Sequence, residues 1–289
     1  MFGAFTRSFK LIKESIGVLR KDPELILLTL GSFAGILIVV LIAGVVGLTS
    51  GAIDLEGESI SGFGLVLIGL TYFIGYFLII YFEVALVAGI QHRIAGADPD
   101  LRYALSRANH RLPAILGWAI IAATVSIILR MLEEAARSRG GIIGAILVSV
   151  LSFGWTLMVF FVIPVIAAEG VGPVEAIKRS GRTVKGRWGE ALIGTHGIGF
   201  IMMIATVIAA GIPFAIGFAA MDTSVVLGGF FFAIAGAVAV FMWAVTGSLE
   251  STYRAVLYAY ATDGDTHGFS KEALDGAFRP KEDIRRAGF

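Results

Sequence analysis

Six apolar runs divide this chain, at about residues 24–49, 62–90, 113–131, 141–168, 189–220 and 224–250. Each is long enough to cross a bilayer, which takes roughly 20 mainly apolar residues in an α-helix. In hydrocarbon every backbone amide must find its partner within the protein, so a crossing segment is either a helix or one strand of a closed barrel. A barrel strand shows about ten residues of alternating polar and apolar positions, and these runs show no such alternation. The expected fold is therefore all-α, a polytopic integral membrane bundle of six spans. Composition supports the same class: 57% of the 289 residues are hydrophobic and 16% charged, whereas a soluble domain carries about 25% charged residues. A soluble globular protein is excluded.

On this reading residues 1–262 form the membrane domain and 263–289 a polar cytoplasmic tail, in which SKEALDGAF (270–278) has a short helical pattern. The first run follows some twenty residues rich in charge and is too long for the apolar core of a signal peptide, so it is expected to remain as span one. With no cysteine, disulfides, cysteine-zinc sites, iron–sulfur clusters and thiol nucleophiles are excluded.

Charge assigns the sides. Of the 23 Lys and Arg, 20 lie before span one, between spans two and three, between four and five, or after six; the other three are Arg130, Arg137 and Arg139. By the positive-inside rule both termini are cytoplasmic, and the short segments 50–61, 133–140 and 221–223 face outward. The chain is expected in an inner or plasma membrane, as a multi-pass protein without a large exterior domain.

The basic segments share a pattern. Ala4-Phe-Thr-Arg7-Ser8, Ala104-Leu-Ser-Arg107-Ala108 and Ala176-Ile-Lys-Arg179-Ser180 all read Ala-x-x-Arg-small, and each precedes two spans. In the first, Phe2, Phe5, Phe9, Ile12, Ile16 and Leu19 recur at steps of three and four, giving one apolar stripe on a helix, with Arg7, Lys10, Lys13 and Arg20 mainly off it. Asp22-Pro23 is expected to cap the next helix, proline at the first helical position losing little through its missing N–H. Asp98-Pro99 and Gly172-Pro173 open the other two in the same way. The chain thus reads as three repeats of an interfacial helix followed by a hairpin of two spans. Such helices lie in the membrane surface with cations among anionic headgroups.

LGWAIIAATVSIILRMLEE (116–134), FFVIPVIAAEGVGPVEAIKRS (160–180), GRWGEALIG (186–194) and YRAVLYAYATDG (253–264) resemble an uncharacterised prokaryotic six-span membrane family, a domain of unknown function. The GPVEAIKRS…W element is also similar to one in the membrane domain that accompanies some glycerophosphodiester phosphodiesterases, although no phosphodiesterase domain is present. The resemblance implies the fold and carries no activity.

Catalytic patterns are absent from the sequence. His92, His110, His196 and His267 are scattered without metal-ligand spacing, Lys185-Gly-Arg lacks the P-loop pattern, and Ser152 and Ser248 lack a Gly-x-Ser-x-Gly context. No enzyme activity, metal or cofactor is expected. No nucleic-acid partner is expected for the basic stretch, which has one nearby aromatic, Trp188, and no recognisable binding module.

Two groups of residues remain as candidate sites. Arg7, Lys10, Arg107, Arg111, Lys178, Arg179, Arg182, Lys185 and Arg187 form the basic surface, suited to anionic headgroups or a membrane-protein partner. Glu83, Glu169, Glu250 and Arg130 lie in or at the ends of spans, where a charge near the bilayer centre costs about 2.5–3.5 kcal/mol on insertion scales. One glutamate near the end of each hairpin suggests a ring of Glu83, Glu169 and Glu250 with Arg7, Arg107 and Arg179. Arg130 is spaced for local ion pairs with Glu133 and Glu134. Tyr72, Tyr76, Tyr81 and Trp155 are candidates for lining a polar cavity, and Gly31-x-x-x-Gly35 and Gly140-x-x-x-Gly144 permit close helix approach. The leading functional expectation is a non-enzymatic module binding lipid headgroups or a protein partner. The alternative is a small transporter or channel with Glu83 in its pathway, and an intramembrane lipid enzyme is the third and weakest class.

Overall fold

The computed structural model describes residues 13–54, 59–186 and 191–264. Arg7, Lys10, Arg187, Trp188, the first repeat copy at 4–8 and the 270–278 segment lie outside them. A helical segment over 13–19 (α1) leads through a 3₁₀ turn at Pro23–Leu25 into α2 (Ile26–Thr49). Then come β1 (Ile53–Asp54), β2 (Ser59–Ile60), α3 (Gly62–Ile94), α4 (Leu101–His110) and α5 (Leu112–Ala135). A π turn at Ala136–Gly140 precedes α6 (Gly141–Val159), α7 (Val162–Glu169), α8 (Pro173–Gly186), α9 (Ala191–Met221) and α10 (Val225–Asp263).

Six helical stretches are long and apolar enough to cross a membrane: Pro23–Thr49, Gly62–Ile94, Leu112–Ser138, Gly141–Glu169, Ile198–Met221 and Val225–Asp263. The protein is an all-α, multi-pass membrane protein. The two-residue antiparallel bridge, Ile53 opposite Ile60 and Asp54 opposite Ser59, merely closes the α2–α3 connection. Ser61 fastens the same turn, its hydroxyl donating to the Ala52 carbonyl at 3.2 Å and accepting from the Gly64 N–H at 3.1 Å.

Two boundaries depart from the apolar runs for local reasons. Span four is not one helix: Pro164 lacks an N–H, and its ring crowds the carbonyl four residues earlier. The break falls there, at Phe160–Phe161, between α6 and α7. Span six, expected to end near 250, continues to Asp263, because 251–263 contains neither glycine nor proline. It stops where Gly264 takes a left-handed conformation and donates to the Tyr260 carbonyl.

The chain forms two compact units. One contains the chain up to Leu30, Gly89–Leu101 and the chain from Gly186 onward; the other contains Gly31–Ala88 and Arg102–Lys185. In the first, α9 and α10 form a hairpin whose turn is capped by Ser224, with Phe214 and Phe232 rings 5.1 Å apart. Thr29 and Ser248 share a hydroxyl hydrogen bond at 2.9 Å, joining the start of α2 to α10. From Ser248 to Tyr258 α10 is buried almost all round, the pattern of a core helix rather than a one-sided one.

In the second unit, α2 and α3 approach closely where Gly31 faces Phe82 and Gly35 faces Leu78. A Cβ at either glycine would stand 3.0 or 3.1 Å from those side chains, so the Gly31-x-x-x-Gly35 spacing works here as a close contact. Trp118 of α5 stacks on Trp155 of α6 at 6.1 Å. Val84–Ala88 and 161–167 are buried, while Leu65, Val66, Ile142, Ile143 and Val150 are largely exposed. Exposed apolar surface on this scale is foreign to a soluble monomer and suits a hydrocarbon solvent.

Candidate functional site at the basic helices

Helix α8 begins at Pro173 and buries Ala176 and Ser180, one turn apart. Lys178, Arg182 and Lys185 then fall on an exposed face at steps of four and three. Arg179 is one residue out of that phase, and its role differs. It pairs with Glu169 at the end of α7 and with Glu175 at 2.9 Å, one turn earlier on its own helix. Arg182 also reaches Glu175, at 3.2 Å. The hydrogen bond from Arg179, with help from the charges of Arg179, Arg182 and Lys178 and against desolvation, holds the Glu175 carboxyl below its usual range. Glu175 and Glu169 together hold Arg179 more firmly in its charged form.

Ser180 has a second task. Its hydroxyl accepts the Phe161 N–H at 3.0 Å, the amide released by the Pro164 break. The small residue of the third Ala-x-x-Arg-small pattern thus closes the gap between α6 and α7. In the second pattern Ala104 and Ala108 are the buried pair on α4, and Arg107 is half-buried. Ala108 has no hydroxyl to offer; the neighbouring Asn109 instead accepts from the Tyr81 hydroxyl at 2.8 Å.

Arg111 precedes α5 as its N-cap residue. Its guanidinium occupies the space that a side chain at Gly170 would fill, and Gly170 is left-handed with φ 64°. The Arg111 Nε is buried and has no hydrogen-bond partner among the described residues. Arg111, Glu169, Glu175 and Arg179 therefore belong to the short stretch where α5 begins, α7 ends and α8 starts.

A ring of Glu83, Glu169 and Glu250 with Arg7, Arg107 and Arg179 was the expectation for the intramembrane group. Of its expected pairs, Glu169–Arg179 forms, Arg7 lies outside the described residues, and Arg107 makes no ion pair among them. Glu83 is half-buried on α3, next to the buried run that starts at Val84. Glu250 on α10 sets its carboxylate against Gly199 of α9. Arg130, Glu133 and Glu134 are all exposed, and no ion pair joins them among the described residues. The four aromatic candidates serve separate contacts: Tyr72 stacks on Tyr76 at 6.3 Å, Tyr81 bonds Asn109 and Trp155 stacks on Trp118.

One cluster was not anticipated. Arg93, near the end of α3, pairs with both Asp22 and Asp98. Both aspartates precede prolines and read as helix caps, but Asp22 makes no side-chain capping bond. The sequence offers half of this cluster, because Arg93 lies five residues before Asp98, and gives no local signal for Asp22.

The description "Family of unknown function (DUF6159)" belongs to the family that matches this chain, over residues 60–269. No curated protein matches it. Nothing in these comparisons supports the shorter similarity to the membrane domain accompanying glycerophosphodiester phosphodiesterases.

Proposed function

The chain belongs to this family of unknown function, and from that premise we propose that it is a non-enzymatic membrane module whose basic helices bind anionic lipid headgroups on the cytoplasmic side. The observation that carries this reading is the division of labour on α8. Arg179 is committed to Glu169 and Glu175, while Lys178 and Lys185 are exposed and Arg182, 71% exposed, keeps most of its surface open beside its contact with Glu175. A helix resting on small buried residues and presenting cations outward is amphipathic in the sense that suits a membrane surface. Arg102 on α4 is likewise exposed opposite Ala104 and Ala108. A cation near an anionic surface contributes about 1 kcal/mol, so three of them favour anionic over zwitterionic headgroups by on the order of 3 kcal/mol before screening.

The test is lipid retention. Protein extracted in detergent and exchanged into mixtures of phosphatidylglycerol and phosphatidylcholine is analysed for bound lipid, as the natural sequence and with Lys178, Arg182 and Lys185 changed to Gln. Arg179 is left intact because its loss would disturb the α7–α8 junction. The triple variant is expected to lose its preference for phosphatidylglycerol; an unchanged preference would refute the headgroup reading.

A further inference from the structure

We propose that the α2–α3 hairpin holds a single lipid acyl chain in an apolar groove, in the half of the hairpin away from α4. The groove has a volume of about 490 Å³ and is lined on α2 by Ile36, Val40 and Gly44, on α3 by Leu67 and Tyr76, and at its end by Ile53. It arises from an uneven seam. Gly31 and Gly35 draw the helices together on Phe82 and Leu78, and Gly47 meets Ile53 and Leu67 at the other end. Between these contacts Gly44 has nothing within 4 Å of where a side chain would begin, and Gly75 has only an ordinary contact with Ile36. The helices part there, and no side chain of either fills the space.

Four occupants compete for that space. Vacancy deprives the lining of dispersion contacts on one side. Water needs two to four polar partners, and the lining is almost wholly apolar, with the Thr71 O–H already donated to the Leu67 carbonyl at 2.8 Å. A partner helix, about 10 Å across, takes on the order of 1400 Å³ over a length matching the groove, more than the roughly 1000 Å³ of empty space in the groove with its open side included. An acyl chain matches the apolar lining and the reach of the groove. From Leu67 to Ile79 the α3 wall runs about 18 Å at 1.5 Å per residue, close to half of a hydrocarbon core about 30 Å thick. The stacked Tyr72 and Tyr76 rings, 9° from parallel, give that wall a flat face. This site is independent of the cations on α8 and takes the tail of a lipid rather than its headgroup.

The experiment uses the full chain in phosphatidylethanolamine–phosphatidylglycerol vesicles doped with a phospholipid carrying a photoreactive diazirine midway along one acyl chain. Labelling is mapped by peptide mass spectrometry. Peptides covering the groove wall at 67–79 are expected to label about tenfold more than the exposed α6 surface at 142–150, equivalent to about 1.4 kcal/mol of preference. Gly44→Phe, which enters open space, should bring groove labelling down to the α6 level while α6 labelling stays the same. Equal labelling of groove and α6 in the natural sequence would overturn the proposal, as would full groove labelling in a folded Gly44→Phe protein. The comparison within the natural sequence decides the matter even if the variant does not fold.

Discussion

Arg93 holds Asp22 with two nitrogens, Nε and Nη2 each reaching a different carboxylate oxygen across 71 residues of sequence. Asp22 is only 5% exposed, whereas Asp98, which the same guanidinium also reaches, is 89% exposed. The two carboxylates therefore contribute unequally. Breaking the buried charge-assisted hydrogen bond leaves the guanidinium only the exposed Asp98 carboxylate, and an exposed pair contributes little. Asp22→Asn is expected to lower stability by about 2 kcal/mol, and Asp98→Asn by about 0.5 kcal/mol or less. Arg93→Lys keeps the charge but loses the planar fork, and should fall between them. Denaturant unfolding in detergent measures all three, and equal effects at Asp22 and Asp98 would contradict the assignment.

Gly170 is the second sensitive point. A residue with a Cβ at φ 64° costs about 1 kcal/mol or more. Here that Cβ would also overlap the Arg111 guanidinium, so the arginine has to leave its place. Gly170→Ala is expected to destabilise by more than the backbone cost alone. Adding Arg111→Ala should return part of the loss, because the overlap disappears while the backbone cost remains. A double-mutant cycle on thermal unfolding separates the two contributions, and strictly additive losses would exclude the contact.

Legibility in the sequence followed the range of each interaction. The six spans were plain because each is a continuous run longer than a bilayer crossing requires. Glu169–Arg179 was also visible, since a glycine turn and nearly two helical turns separate the partners. The split between Arg179 and Lys178 was hidden in adjacent letters: one step along a helix rotates a side chain by about 100°, which divides an ion pair from an exposed cation. Asp22 does stand at the N-cap before Pro23, as the Asp-Pro signal suggested, but the partner of its carboxylate lies far along the chain, where no local signal points. The span-four break was within reach of the sequence through Pro164, but the unbroken apolar run around it obscured the interruption of the helix.

Acid should loosen the start of α8. Glu175 has its folded-state pKa lowered from 4.5, first by the Arg179 hydrogen bond, so its contribution is present above the unfolded value and is lost as pH falls through the folded one. Amide hydrogen exchange in α8, corrected for intrinsic rate, is therefore expected to quicken as pH is lowered below 4.5, while the core of α10 stays protected. Glu175→Gln should show the faster exchange already at neutral pH and a flatter pH profile. An unaltered profile in that variant would assign the acid response to another carboxylate.

Ser180 and Pro164 should prove coupled. Pro164 breaks the helix and frees the Phe161 amide, and Ser180 takes that amide up in a buried setting, Phe161 being 1% exposed and Ser180 0%. Ser180→Ala leaves the N–H unsatisfied, at a cost of about 1–3 kcal/mol. With Pro164 also changed to Ala, α6 can continue into α7, and the Phe161 N–H can bond to the Leu157 carbonyl as in an ordinary helix. The serine then has less to satisfy. Ser180→Ala should cost clearly less in the Pro164→Ala background than in the natural one, and the Phe161 amide should regain slow exchange. If the two losses simply add, the hydroxyl is not compensating for the proline, and burial of a small residue alone explains the Ala-x-x-Arg-small pattern on α8.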